Sequence, residues 1–250
     1  MKRISTLLAA LVALTGCTIE KAEYFDPTAV GFRMFSYTNS HLGTQTDIAA
    51  RVMLFDLYYS APEEERETIH DRYFYSSRIV GSGNEWRIID SSHELTIYTD
   101  GRPLSTDGAT WKYAHSFLHA GDDLPTIACH ADDTSTAYDL HLPNGGGELS
   151  FTTTYRSRPQ DDGTPRYWCE LRIEGRGECT LPKDYYYEFE KIAYEIVEPL
   201  KYTSYGSRVD EGGLLLTTET DEGHLETRVE YLDTGVRIHF GAHEKLYYYY

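Results

Sequence analysis

Residues 226–241 read ETRVEYLDTGVRIHFG. Apolar residues alternate with polar ones on both sides of a turn sequence, Asp233-Thr234-Gly235. The alternating apolar positions are Val229, Tyr231, Val236, Ile238 and Phe240. A period of two places successive side chains on opposite faces of a strand, and a short Gly-containing turn joins antiparallel neighbours. The stretch therefore predicts a β-hairpin with one buried face.

The same pattern recurs through most of the chain after Tyr75. Short runs rich in Ile, Val, Thr, Tyr and Trp are separated by turn dipeptides such as Asp100-Gly101 and Asn144-Gly145. Strands at this spacing, joined by such turns, predict an antiparallel sheet. We therefore expect a mainly β protein, an antiparallel β-sandwich or a barrel-like sheet, with a short N-terminal helical segment.

Two segments have a less obvious pattern. The stretch WCELRIEGRGECTL (168–181) predicts a hairpin that turns near Gly175-Arg176, a register that sets Cys179 opposite Arg172 and not opposite Cys169. In 185–200 the apolar spacing fits a helix, whereas the residue types favour a strand with Pro199 at an edge or bulge. We favour the strand.

Helices are expected near the N-terminus, at about 46–75. Apolar residues there recur every three or four positions, and Ser60-Ala61-Pro62-Glu63 has the pattern of a capping box that opens a second helix. Residues 17–43 show no clean periodicity and are expected to form a tether. The ordered body is then one β-rich domain over 44–250, with a two-half organisation divided near 144–165.

The first 17 residues, MKRISTLLAALVALTGC, have the layout of an export signal. Lys2 and Arg3 precede an apolar run that is shorter than the roughly 20 residues needed to span a bilayer. The run ends in Leu14-Thr15-Gly16-Cys17, which resembles the lipobox of bacterial lipoproteins. That resemblance implies that residues 1–16 are removed as a signal peptide and that Cys17 carries the lipid. Two or three acyl chains hold a protein stably, because each buried CH₂ contributes about 0.8 kcal/mol.

The chain as a whole resembles the small lipoproteins that are abundant in Bacteroidota. The shared features are the lipobox, the early helix, a strand that starts at Gly83-Asn84-Glu85-Trp86, and the β-rich remainder. The resemblance implies an outer-membrane lipoprotein on the periplasmic or the cell-surface face. Acidic residues just after the lipid cysteine direct such proteins to the surface, and residues 18–23 carry only a diluted version, so both faces stay open.

The formal net charge of −17 narrows the choice of partners. Removal of residues 1–16 takes away Lys2 and Arg3 and no acidic residue, which leaves −19. Such a chain is repelled by phosphates, and no Lys/Arg cluster offsets this, so nucleic acid is not an expected partner. An anionic bilayer repels it too, so the expected membrane contact is the lipid anchor alone.

A metal-binding hypothesis rests on His115 and His119, which share one face if the segment is helical. Further potential ligands nearby are Asp122, Asp123, Cys129 and His130. The segment resembles a strand entering a loop, and positions four apart on a strand lie about 13 Å from each other. We therefore favour scattered histidines and expect no cofactor. Besides Cys17, three cysteines remain at positions 129, 169 and 179, enough for one disulfide and one free thiol in an oxidising compartment.

Trp86, Trp111 and Trp168 are candidate ligand-binding residues, since tryptophan rings stack on sugars, but filling of the core is the favoured reading. No motif of a nucleophilic hydrolase, zinc protease or P-loop enzyme occurs. We therefore expect a lipid-anchored, non-enzymatic binding or assembly module with a glycan or protein partner. The alternative is a lipid-anchored glycan-processing hydrolase whose carboxylate pair the sequence does not mark. Its candidate carboxylates are Glu170, Glu188 and Glu190.

Overall fold

The structure is a computed structural model that describes residues 28–116, 123–131, 136–143, 146–155, 168–181, 190–202, 209–221 and 223–248, the side chains of 153–155 and 168–170 excepted. In these ranges two helices precede 13 strands. The helices are α1 (Thr28–Ser60) and α2 (Glu63–Tyr73). The strands are β1 (Arg78–Ser82), β2 (Glu85–Ile89), β3 (Glu94–Tyr98), β4 (Thr110–His115), β5 (Thr126–Ala131), β6 (Thr136–Leu142), β7 (Gly147–Tyr155), β8 (Trp168–Thr180), β9 (Lys191–Tyr202), β10 (Glu211–Thr220), β11 (Gly223–Leu232), β12 (Gly235–Phe240) and β13 (His243–Tyr248).

The described strands form one antiparallel sheet in which each strand pairs with the next along the chain, from β1 to β13. The sheet does not close, because β1 and β13 are its two edges. The expected mainly β, antiparallel architecture with N-terminal helices is confirmed, in its single-sheet form. Pairing is continuous through the proposed division near 144–165, since β7 bonds to both β6 and β8.

Helix α1 crosses the inner face of this sheet from one end to the other. Near its start, Phe32 stacks on Tyr247 of β13, with ring centroids 4.3 Å apart. Near its end, Phe55 packs against Trp86 of β2 and Trp111 of β4. A single helix contacts strands this far apart in the order of the sheet because the sheet curls around it.

The core lies between α1 and the inner face. Strand residues alternate between buried and accessible positions. The buried positions include Leu214 and Leu216 on β10, and Val229 and Tyr231 on β11. On the side of α1 that faces the sheet, the side chains of Met34, Val52 and Phe55 are completely buried. Full burial of such a side chain contributes about 1.5–3 kcal/mol. Neither of the two described helices combines the length and apolar character that crossing a membrane requires.

The hairpin predicted over 226–241 is confirmed. Strands β11 and β12 form a hairpin in which Leu232 pairs with Gly235, and Val229 faces Ile238. The segment that fitted both helix and strand is a strand from Lys191, namely β9. Pairing of β9 with β8 and β10 is irregular around Pro199, where the sheet loses its simple register.

Three expectations about local structure are wrong. The tether predicted over 17–43 is wrong for residues 28–43, which form the first half of α1 and bury Met34 and Phe35. The stretch 168–181 is not a hairpin, because residues 168–180 form the single strand β8. Ser60 does not cap α2. It ends α1, where its hydroxyl donates to the carbonyl oxygen of Asp56 at 2.6 Å, and Pro62 takes the N-cap position without a side-chain bond.

The glycines of β8 explain why a turn was expected there. Gly175 has φ +129°, and a Cβ at this position would overlap the carbonyl oxygen of Glu148. Glycine serves here the close approach of β7 to β8, as it does where sheets bend sharply. The same residue type that marks turns therefore lets the sheet curl around α1.

Candidate binding site

A long depression lies on the outer face of the sheet, the face turned away from α1. We call it the outer trough; its lining comes from β9 to β12 and the turn after β12, and its volume is about 820 Å³. It follows β11 from His224 to Glu230, about 20 Å at the rise of a β-strand. The volume is within the range of ligand sites, and the elongated form suits a chain-like ligand.

The floor of the outer trough includes Gly213, which has no side chain. Gly213 of β10 pairs with Glu198 of β9 on one side and with Glu230 of β11 on the other. The register between β9 and β10 shifts at this glycine, and Val197 beside it is 42% exposed. The layer of outward side chains is therefore interrupted here, which leaves room between β9 and β11.

Ion pairs fix the rim of the outer trough on the side of β12 and β13. The guanidinium of Arg237 bonds to Glu230 at 2.6 Å and to Glu244 at 3.2 Å. Glu244 also lies 3.5 Å from Nδ1 of His239. Opposite charges on adjacent strands stabilise their pairing, so this rim is held by three neighbouring strands.

Three charged groups inside the outer trough are not used in this way. Arg228, Glu226 and Glu198 make no side-chain hydrogen bond or ion pair with another residue of the described part of the chain. Arg228 projects from the middle of β11, in register with Leu215 and His239. A guanidinium supplies only donors and a carboxylate only acceptors. The outer trough thus offers hydrogen bonds of both kinds to a ligand.

Two smaller depressions, of about 460 and 480 Å³, surround Arg176 on β8. Arg176 pairs in register with Glu148 of β7 and Glu195 of β9. The same register row reaches Arg228 three strands further on, about 14 Å away at the usual strand spacing. Recesses with polar walls therefore extend from β7 to β12 on the outer face.

The histidine hypothesis changes with the structure. His115 is half-buried on β4, and its ring is stacked on that of His93, with centroids 6.0 Å apart. Burial, together with the neighbouring His93, lowers the pKa of His115. His119 lies outside the described residues, and among those described no group of three potential ligands is placed to hold a metal ion. Sequence reasoning missed His93 because only the pairing of β3 with β4 brings it close.

The three tryptophans do not form a common site. Trp111 is completely buried, and its indole N–H donates to the carbonyl oxygen of Arg102 at 3.0 Å. Its candidate role in stacking on a ligand is therefore wrong, because no face of the ring is accessible. Trp86 is half-buried beside Tyr59, with the rings perpendicular. The side chain of Trp168 lies outside the described residues.

The two described thiols are poor nucleophiles. Cys129 is buried, and desolvation, with the charges of Asp56 and Asp107, raises its pKa to about 11. Burial also raises the pKa of Cys179. Both are free thiols, and a raised pKa keeps a thiol protonated and unreactive. The lipidation site Cys17 and the side chain of Cys169 lie outside the described residues.

One of the candidate carboxylates can be placed. Glu190, just before β9, lines a depression together with Glu178 and Lys191. The ammonium of Lys191 bonds to Glu178 at 2.6 Å. The side chain of Glu170 and the whole of Glu188 lie outside the described residues.

Comparison with known proteins gave no relative. No family model, no curated protein sequence and no solved structure matches the chain.

Proposed function

We propose that the chain is a lipid-anchored, non-enzymatic binding module of the bacterial cell envelope, held at the outer membrane through Cys17. The observation that carries the binding function is the outer trough, where three charged groups make no ion pair or side-chain hydrogen bond within the described part of the chain, while those of the rim pair with one another. Its position on the outer face makes it accessible to a ligand without rearrangement of α1.

The sequence around the anchor supports the placement. Thr28, where α1 begins, follows Cys17 by 11 residues, and an extended chain of that length spans at most about 40 Å. The chain carries a formal charge of −17, which an anionic bilayer surface repels. The short segment after the lipid anchor keeps the domain close to the membrane. Charge repulsion between the domain and the bilayer surface keeps the outer face in water.

Replacement of the anchor cysteine tests the placement. In cells that express the Cys17→Ala variant we expect the protein in the soluble fraction, whereas the unchanged chain sediments with the membranes. The Cys129→Ala variant is the matched control, because this thiol is buried in the core and far from the leader in sequence. Firm retention of Cys17→Ala in the membrane pellet, with Cys129→Ala behaving alike, rules out the lipid anchor.

A glycan-processing hydrolase is the second candidate, since the outer trough contains two carboxylates, Glu198 and Glu226, that form no ion pair with any described residue. Glycosidases use two carboxyl groups, about 5–5.5 Å apart in retaining and about 6.5–9.5 Å apart in inverting enzymes. Release of reducing ends from a bound polysaccharide, lost in Glu226→Gln while binding persists, distinguishes this candidate from a binding module.

A further inference from the structure

We infer that the outer trough binds a neutral oligosaccharide chain, and that Arg228 and Glu226 supply hydrogen bonds that fix it. The inference rests on the proposed binding function and names the class of ligand. Four observations carry it: the mixed sign of the charged groups in the outer trough, the open form of the trough, the exposed Val197 beside them, and the charge of the whole chain.

The free groups of the outer trough have opposite signs at close range. Arg228 and Glu226 are two positions apart on β11 and project from the same face, about 7 Å from each other. A strongly anionic ligand that reaches Arg228 is repelled by Glu226, and a strongly cationic ligand that reaches Glu226 is repelled by Arg228. A hydroxyl group donates to a carboxylate and accepts from a guanidinium equally well. A ligand rich in hydroxyl groups and without net charge therefore satisfies both.

The shape and the apolar part of the lining agree with this chemistry. The outer trough is open to solvent across β9 to β12, and its lining on β11 extends over about 20 Å, so a polymer lies in it without threading. Val197, which is 42% exposed, contributes apolar surface beside the charged groups. The rings of neutral sugars present C–H groups on their faces and hydroxyls on their edges, which matches an apolar contact flanked by polar groups.

The total charge argues against the nearest competitor, an acidic polysaccharide. The chain carries −17, and Glu198, Glu226 and Glu230 all line the outer trough. Long-range repulsion lowers the rate at which a polyanion approaches such a surface. The negative charge of the chain attracts a basic peptide over the same distance, but Arg228 in the middle of the outer trough repels the peptide's positive side chains.

Affinity electrophoresis of the full chain, extracted in non-ionic detergent, tests the inference. Native gels are cast with one of five neutral polysaccharides: dextran, laminarin, mannan, arabinoxylan or galactan. Parallel gels contain polygalacturonate, and a lysine-rich peptide is titrated by calorimetry. We expect retardation by at least one neutral polymer and none by polygalacturonate.

Two variants assign the binding to the outer trough. Arg228→Gln and Glu226→Gln are expected to weaken binding of the retarding polymer at least about tenfold, since each removes a hydrogen bond to a charged group. The matched control is Arg33→Gln, an exposed arginine on α1 and on the other side of the sheet. If the thermal unfolding midpoints of all three variants equal that of the unchanged protein, loss of the fold is excluded as the cause of weaker binding.

Each outcome decides a different question. Retardation by none of the five polymers, or retardation that Arg228→Gln leaves unchanged, overturns the assignment. Binding of only polygalacturonate or of only the peptide, weakened by Arg228→Gln, keeps the outer trough as a binding site but overturns the neutral glycan. Cleavage of a retarding polymer supports the ligand class and replaces the binding module by the hydrolase. None of these results depends on the lipid anchor, which the Cys17→Ala experiment tests separately.

Discussion

The two halves of α1 meet the sheet through different chemistry. The C-terminal half is held by charges and by completely buried rings: Arg51 binds both carboxylate oxygens of Asp90, at 2.6 and 2.8 Å, and Phe55 is fully buried. Among the described residues, the N-terminal half is held without charged groups, by buried side chains such as Met34, by half-buried aromatic contacts and by neutral hydrogen bonds. Phe32 stacks on Tyr247, whose hydroxyl shares a 3.0 Å hydrogen bond with Thr28.

The halves also differ in how far along the chain their partners lie. Asp90 is 39 residues from Arg51, whereas Tyr247 is 219 residues from Thr28. Contacts that are distant in sequence require the whole sheet to be in place first. We conclude that the C-terminal half of α1 is the firmer and more local attachment, and that the N-terminal half depends on the last strands.

The largest expected effect comes from removing a ring from each half. Phe55→Ala should destabilise the protein by about 3–5 kcal/mol, because it leaves a cavity in a closed part of the core. Phe32→Ala should cost about 1–2 kcal/mol, since its ring is half-buried and loses mainly one stacked partner. Urea unfolding at equilibrium gives both values. A larger loss for Phe32→Ala than for Phe55→Ala reverses the proposed order of the two halves.

The next effect concerns a buried carboxylate in the C-terminal half. Asp56 is 4% exposed and accepts the backbone N–H groups of Leu104, at 2.6 Å, and Ser105, at 2.9 Å. Asp56→Ala leaves these donors unpaired, and we expect a loss of about 2–3 kcal/mol and faster hydrogen exchange at Leu104 and Ser105. Asp47→Ala, an exposed aspartate on the same helix, should change stability by less than about 0.5 kcal/mol.

If Asp56→Ala and Asp47→Ala unfold at the same urea concentration, the carboxylate of Asp56 does not anchor the loop between β3 and β4. Unchanged exchange at both amides, with stability lost, points instead to a packing defect around α1.

The smallest effect is a difference in pH dependence between the middle and the C-terminal part of α1. Burial lowers the pKa of His41 below its ordinary value of 6.5. As the pH falls below 6.5, His41 takes up a proton in the unfolded chain but stays neutral in the folded protein. The contribution of His41 to the free energy of unfolding is therefore fully present above pH 6.5 and is lost as the pH drops toward the lowered pKa. His115, whose pKa is also lowered by burial, acts in the same direction. We expect His41→Leu to flatten this loss, measured as urea midpoints between about pH 8 and 5.

The ion pair of the C-terminal half responds only at lower pH. Hydrogen bonds from Arg51, against an opposing effect of burial, lower the pKa of Asp90 below its ordinary value of 3.8. Its contribution is present above pH 3.8 and is lost as the pH falls through the lowered pKa. Asp90→Asn should not remove the flattening that His41→Leu produces near pH 6, and loss of that flattening in the Asp90→Asn background contradicts the separation of the two regions. The Asp90 carboxylate raises the pKa of His115, so the slope itself is expected to steepen in Asp90→Asn.

Local patterns predicted the parts of the fold that depend on neighbouring residues. The β11–β12 hairpin was predictable because its turn and its alternation lie within 226–241. The first half of α1 was missed because its buried face includes Gly31 and Thr38, which do not form an apolar stripe. Gly31 is buried because the helix approaches the sheet closely there: a Cβ would lie 3.1 Å from Oγ1 of Thr227.

The candidate site was less predictable than the fold. Arg228 and Glu226 lie in the predicted hairpin, where they counted only as the polar positions of an alternating strand. Their significance depends on Gly213 and on the irregular register of β9, both contributed by other strands. The stacking of His93 on His115 is equally non-local. Sequence reasoning therefore identified the faces of strands but not the recesses that the curled sheet forms.

The linear order of the sheet has a consequence for folding. Each strand from β2 onward pairs with its predecessor in the chain, and β11 to β13 join the sheet at its end. The aromatic residues Phe32 and Phe35 stay uncovered until residues 223–248 have folded, because these residues include their ring partners Tyr231 and Tyr247. A chain in which β11 to β13 have not yet paired presents these rings to chaperones, so pairing of the last hairpins is the step that ends its need for protection.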